Sequence, residues 1–465
     1  MNKILLKNGI VVSSKKSEIK DILINGEKIK KVSKNILPDK NTIVIDCKGK
    51  YIFPGFIDGH THFDLSVAGT TTIDDFKSGT LAALTGGTTT IIDYGTQYKG
   101  ETLMDGLNNW KKKASNGVSC DYGIHMSISD VNKKSLVDIK LMFKEGVTSF
   151  KLYTTYDIKI NDSEMNECMK QIGKLNGIVG VHCENDGLIA DLRNEVKGSN
   201  NKKVISHRLT RPNIAEAEAV NRMAYIANYN KCAFLAVHVT CKEALEEVKL
   251  ARKRGYEVYA ETCPQYLMFD ESVYKKNFTE ASKYVIAPPL REKSNIDYLW
   301  KAIKDGDIDI VSTDHCSFTK KQKELGKNDF RKIPGGLNGV EHRGVIMFDA
   351  VLNKKISKEK MCEVLSENPS YLFGLWDKKG FIKEGYDADI VIFDPNTITI
   401  YNDKNQMTKS DYCVFDKKSF RGAIEKVFLR GNLVVESIDN GKNFVNYIID
   451  NKGKFIKRKK YKKIR

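Results

Sequence analysis

The chain lacks any apolar run of 18 residues or more, so the sequence carries no signal for a membrane-spanning helix. It also lacks C-x-x-C pairs. Its ten cysteines are scattered singly from Cys47 to Cys413, which reads as reduced thiols and not as a disulfide framework. The opening residues, MNKILLKNGIVVSSKK, hold too short an apolar stretch and no small-residue cleavage site for a secretory signal, so the expected location is the cytoplasm. Acidic residues are missing from the last fourteen positions, KGKFIKRKKYKKIR, where nine Lys and Arg supply about half of the net charge of +17. A basic run of this kind reads as a solvated end, and nucleic acid is not the expected partner.

What is present is an ordinary globular balance, 41% hydrophobic and 29% charged, over 465 residues. That length suits one large domain with a smaller satellite. Short alternating runs separated by Gly, Asn and Asp turns (ILLKNGIVV, DILINGEKIKKVS, TIVIDCKGKYIFP) mark residues 1–53 as β structure. The same texture returns in DADIVIFDP, AIEKVFLRGNLVVE and NYIID within 376–450, so the two chain ends are expected to form one small β-sandwich, followed by a basic tail at 451–465. Over 54–375, β-branched and aromatic runs recur about every 30 to 40 residues with amphipathic helical segments between most of them. Eight strands are expected: Gly55–His62, Thr88–Gly95, Cys120–Ile128, Thr148–Thr155, Gly177–Asn185, Ala233–Thr240, Tyr256–Pro264 and Asp309–Cys316. The expected fold is a (β/α)8 TIM-type barrel. An open doubly wound sheet would normally show a Gly-rich phosphate loop after its first strand, and here that strand ends in His-Thr-His.

Five of these strand ends carry a potential metal ligand: His60 and His62 on the first, Lys151 on the fourth, His182 on the fifth, His238 on the sixth and Asp314 on the eighth. The C-terminal face of a barrel gathers such residues from distant parts of the chain. Two histidines two apart on a strand point to one face and can grip one ion. H-x-H alone is a weak signal; the joint pattern is specific. Imidazole and carboxylate suit Zn²⁺, with Mn²⁺, Co²⁺ or Fe²⁺ as alternatives. Two dications about 3.5–4 Å apart need anions between them. A carbamate on Lys151 would supply one, although from residue type alone a lysine paired with a carboxylate near the barrel mouth is the simpler reading.

The segments FIDGHTHFDL, SFKLYTTYD, VGVHCEN, HRLTRP, FLAVHVT, IAPPLR, STDHCSF and GGLNGVEHR resemble the dihydropyrimidinase and D-hydantoinase branch of the cyclic amidohydrolases, in family order from about residue 52 to 345. The resemblance implies two zinc ions held by His60, His62, Lys151 as N6-carboxylysine, His182, His238 and Asp314. It also implies a homotetramer, or a homodimer, acting on a small cyclic amide. By the same likeness a hydroxide bridging the metals attacks the ring carbonyl, Asp314 shuttles its proton to the leaving nitrogen, and Tyr156 hydrogen-bonds the oxyanion. By residue type alone Tyr156 reads equally well as packing. Main-chain groups at Ala287 and Asn338 would hold the ring; the family usually has Ser at the first, and His342 stands where many relatives carry an acid. His125, His207 and His315 are expected to orient or pack rather than ligate. Phe63, Leu65, Val67, Tyr94 and Tyr153 are expected to wall the space beside the ring's exocyclic carbon. FDLSVAG, with no basic residue, follows H-x-H, which disfavours a dihydroorotase-like acidic ring. An allantoinase-like hydrolase is the alternative activity, and a metal-free scaffold protein is the alternative class.

Overall fold

The computed structural model describes residues 3–439, 444–448 and 452–465. The chain opens with five strands, β1 (Lys3–Val12), β2 (Ser17–Asn25), β3 (Lys28–Ser33), β4 (Thr42–Asp46) and β5 (Tyr51–Pro54). Eight barrel strands follow, interrupted by a small hairpin: β6 (Phe56–Thr61), the hairpin β7 (Ser66–Val67) and β8 (Thr70–Thr71), then β9 (Thr88–Thr96), β10 (Asp121–Ser127), β11 (Ser149–Tyr153), β12 (Ile178–His182), β13 (Ala233–Ala236), β14 (Val258–Thr262) and β15 (Ile310–Val311). Four strands complete the chain's second β-rich stretch, β16 (Ile390–Ile400), β17 (Ser419–Leu429), β18 (Asn432–Asp439) and β19 (Phe444–Ile448).

The barrel strands pair in parallel in the order β15-β14-β13-β12-β11-β10-β9-β6. The ring closes where Thr61 bridges His315 and the His62 amide donates to the His315 carbonyl at 2.8 Å. Strands such as TTTIIDYGT in β9 are buried along their whole length, as a parallel sheet covered on both faces requires. Several intervening helices start at capping boxes, Thr102 with Asp105 and Asn161 with Glu164 among them. No helix among the described residues is long and apolar enough to cross a membrane.

The two chain ends share one nine-stranded mixed sheet, in which β5 sits between β1 and the late strand β16. Its apolar face gathers Leu6, Ile22, Ile24, Ile52, Ile390, Ile392 and Phe428 into a cluster separate from the barrel core. The period-two alternation of these residues puts them on one side of their strands. Of the expected NYIID strand, Ile449 and Asp450 lie outside the described residues.

The basic end corrects one expectation. Residues 452–465 do not read as a solvated end; they strap the face of the barrel opposite the strand C-termini. Phe455 bridges Tyr122, the Ile456 amide donates to the Tyr122 carbonyl at 2.7 Å, and Ile456 joins Ile57, Ile92, Ile178, Tyr259 and Ile310 in the barrel's inner layer. Arg458 is buried and donates to Ser149 Oγ at 2.7 Å and to the Phe373 carbonyl at 3.2 Å. Gly123, Gly146 and Gly374 clear the track: a Cβ at Gly146 would stand 2.5 Å from the Lys457 Cα. The apolar residues interleaved with the lysines seat the segment, and the lysine heads reach outward to acids such as Glu145 and Glu257.

Candidate metal centre

His60 stands near the end of β6, and His62 follows one residue past it, their ring centres 5.2 Å apart. His60 Nδ1 donates to Glu261 Oε1 on β14 at 2.6 Å. Burial holds the His60 imidazole neutral, well below its usual pKa. A neutral ring has one N–H, so its Nε2 keeps a lone pair, yet that atom faces Asp314 Oδ1 at 3.2 Å. Burial works against ionisation of Asp314, but a hydrogen bond from His62 and the charge of Lys151 act to lower its pKa. Two acceptors at that separation call for a cation between them. His62 Nε2 meets the same oxygen at 3.1 Å.

The other side of the cluster has the same form. His182, at the end of β12, donates from Nε2 to Glu184 Oε2 at 2.8 Å, and its Nδ1 faces His238 Nε2 at 3.0 Å. Glu184 is in turn ion-paired with Arg211. The buried Nδ1 atoms of His62 and His238 have no hydrogen-bond partner among the described residues. Ligand atoms of His60, His238 and Asp314 all lie within 4.8 Å of one another. Lys151, on β11, is buried with its Nζ 4.9 Å over the Tyr94 ring, and burial lowers its pKa in spite of Glu261 and Asp314 nearby. These imidazoles and carboxylates are the donor set of a divalent transition metal.

Backbone conformation aims three of these groups. Tyr156, His238 and Asp314 have φ of 76°, 39° and 51°, left-handed values that non-glycine residues rarely adopt and that cluster at functional sites. For the same reason β13 stops at Ala236 and β15 at Val311, before His238 and Asp314, which were expected on those strands.

Above the cluster opens a cavity of about 780 Å³ lined by Leu65, Val67, Tyr153, Tyr156, Ile158, Arg193, Arg211, Ala287, Gly335 and Gly336, among others. The hairpin β7–β8 contributes part of this lining. Phe63 and Tyr94 do not line it, contrary to expectation. Phe63 packs on Phe76 and His315, and Tyr94 stacks on His62 and His125 beneath the cluster. Ala287 lines the cavity, whereas Asn338 is buried, sends its side chain to Gln406 Oε1 at 3.0 Å and is not among the lining residues.

The remaining histidines brace the site. His125 links Ser149 Oγ to the carbonyl of Gly59, the residue before His60. His207 donates to the Ile286 carbonyl at 2.6 Å and so fixes the loop that presents Ala287. His315 lies against Asp74 at 3.1 Å. His342 packs its ring against Tyr401 and Phe415, and burial pulls its pKa down to about 3, so it acts as a neutral aromatic. Sequence reasoning missed Glu184, Arg211 and Glu261. Glu184 had a signal, since it stands two residues after His182 as His62 does after His60. It also missed Lys323, whose buried ammonium donates to the carbonyls of Val285, Pro334 and Gly336 at 3.1, 2.7 and 2.9 Å and ties two cavity loops together.

A model described as the amidohydrolase family matches residues 51–434. The chain is 38% identical over 462 residues to the D-hydantoinase of Geobacillus stearothermophilus, covering 98% of this chain and 97% of that one. It is 36% identical over 464 residues to the D-phenylhydantoinase of Escherichia coli O127:H6, covering 99% of each. The crystal structure of dihydropyrimidinase from Brevibacillus agri NCHU1002 superposes with a TM-score of 0.94 at 37% identity, over 99% of this chain and 100% of that one. A parallel barrel with imidazoles and carboxylates converging at its strand ends is thus an amidohydrolase, a class that implies a binuclear metal site. Within that class the chain belongs to the dihydropyrimidinase and hydantoinase family of cyclic amidohydrolases.

Proposed function

We propose that the protein opens the ring of 5-substituted hydantoins or dihydropyrimidines to N-carbamoyl amino acids, using two zinc ions held by His60, His62, His182, His238, Asp314 and a carboxylated Lys151. The observation that carries this reading is the pair of facing lone pairs on His60 Nε2 and Asp314 Oδ1, 3.2 Å apart at the floor of the cavity. Bound metals supply Lewis acidity and acidify water. The residues do the rest. Glu261 and Glu184 fix the His60 and His182 tautomers, and Arg211 holds Glu184 in place. Asp314 takes the proton released as water adds to the ring carbonyl and gives it to the ring nitrogen when the C–N bond breaks. The Tyr156 hydroxyl donates to the carbonyl oxygen as that oxygen gains negative charge. Main-chain groups of Ala287 and Asn338 orient the ring.

The test is a rate comparison on metal-counted protein across dihydrouracil, D- and L-5-substituted hydantoins and allantoin. Hydantoin or dihydrouracil opening is the expected result, and turnover of allantoin alone would sink the proposal. A cytoplasmic homotetramer, or a homodimer, belongs to the same reading; ten buried free cysteines suit a reducing compartment, and a monomeric mass in light scattering would refute the assembly.

Leu65, Val67 and Tyr153 line the cavity and would give the exocyclic substituent an apolar wall. Leu65→Ala is expected to lower the preference for a bulky 5-aryl hydantoin over hydantoin itself by ~10-fold, since a lost apolar contact in such a pocket is worth ~1–3 kcal/mol. The check is the ratio of the two kcat/KM values, and an unchanged ratio would remove the loop from substrate selection.

A further inference from the structure

Three arginines line the cavity: Arg193, Arg211 and Arg331. Two are matched. Arg211 is ion-paired with Glu184, and Arg331 donates to both oxygens of Asp329. Arg193 is not. It projects from the helix Asp186–Glu195, half-buried, its buried Nε without a hydrogen-bond partner, and no carboxylate stands within ion-pair distance of it among the described residues. The nearby acids are committed elsewhere. Glu184 serves Arg211 and His182, and Asp186 is held by Lys159 and the Thr155 hydroxyl. Asp157 lies exposed at the cavity rim. Burial and the neighbouring Arg211 both disfavour the charge on Arg193. A guanidinium kept in such a place without a counter-ion is poised for an anion delivered through the cavity.

Resting on the ring-opening reading above, we propose that Arg193 is a specificity residue that selects rings whose 5-substituent ends in a carboxylate. One guanidinium fork matches one planar carboxylate through two parallel N–H···O bonds. The apolar wall at Leu65 and Val67 suits the methylenes of a short spacer, and Arg193 meets its charged end. The carboxylate is not on the ring itself, in keeping with the lack of a basic residue after His62. Arg193 approaches the site from the Tyr156 side, since Tyr156 is among the groups that act on its charge.

The experiment uses an isosteric pair, 5-(2-carboxyethyl)hydantoin and 5-(2-carbamoylethyl)hydantoin, with the metal-loaded protein. The wild type is expected to favour the carboxylate by about tenfold or more in kcat/KM, with the difference in KM, and to lose the preference as salt is raised. In Arg193→Gln the ratio is expected to fall to about one, while Arg193→Lys keeps part of it. A wild-type ratio of one or below, or a ratio that survives Arg193→Gln, overturns the inference and leaves the ring-opening reading standing. A change of oligomeric state in Arg193→Gln with no change in the ratio also overturns it, assigning the arginine to a subunit contact. Failure of the wild type to open either ring overturns the ring-opening reading and this one with it.

Discussion

Lys151→Ala will leave a folded protein that binds fewer than two metal ions per chain and has lost activity by at least the roughly 10²–10³-fold that removal of one oxyanion donor costs elsewhere. The reason is charge. With Lys151 as an ammonium, the cluster would set a cation among the groups meant to hold two more. On the proposed reading, addition of carbon dioxide to the free amine, with release of a proton, would replace that cation by an anion with two oxygens. Burial favours this step, because it lowers the pKa of Lys151 and so raises the fraction present as free amine. Reloading of chelator-stripped wild type is therefore expected to depend on added bicarbonate, and a short carboxylic acid is expected to restore part of the Lys151→Ala activity. Elemental analysis and kcat/KM are the readouts. Two metals and full turnover in Lys151→Ala would place the lysine outside the centre.

Tyr156→Phe is expected to depress kcat by roughly 10²-fold with metal content unchanged. The substitution is clean. The ring that lies 4.9 Å from His182 and 6.4 Å from Tyr153 is kept, and so is the aromatic side chain on a backbone held at φ 76°. Only the hydroxyl goes. If the residue merely packs the cavity mouth, kcat will stay level and the oxyanion must be met by another donor.

The barrel was legible because its strands and helices obey their own patterns: TTTIIDYGT is rich in β-branched residues, as a fully buried strand is, and SEMNECMKQIGKLNG repeats at three and four. The convergence of His60, His182, His238 and Asp314 follows from topology, since parallel strands deliver their ends to one face. What the sequence hid is mostly conformational. Nothing in FLAVHVT or STDHCSF announces that His238 and Asp314 turn into left-handed backbone beyond their strands, because such strain is imposed by tertiary contacts. Phe63 and Tyr94 look like pocket residues by position, yet the first is claimed by Phe76 and His315 and the second by the undersides of His62 and His125. The basic end was read from its charges alone; Phe455, Ile456, Tyr461 and Ile464, spaced among the lysines, were the sign that it had somewhere to sit. Arg193 had no signal, since a lack of partners becomes visible only when the neighbours are in place.

The placement of β5 between β1 and β16 sets a timetable for synthesis. Tyr51–Pro54 leaves the ribosome long before Ile390, and at about 5–20 residues per second the gap lasts roughly 20–70 s. For that interval one edge of an apolar strand, YIFP, has no neighbour, while the barrel assembles from segments made in between. An unpaired apolar edge is a template for association with other chains. Nascent chains of this protein, and any fragment ending before residue 390, therefore expose an aggregation-prone edge that the finished molecule does not have.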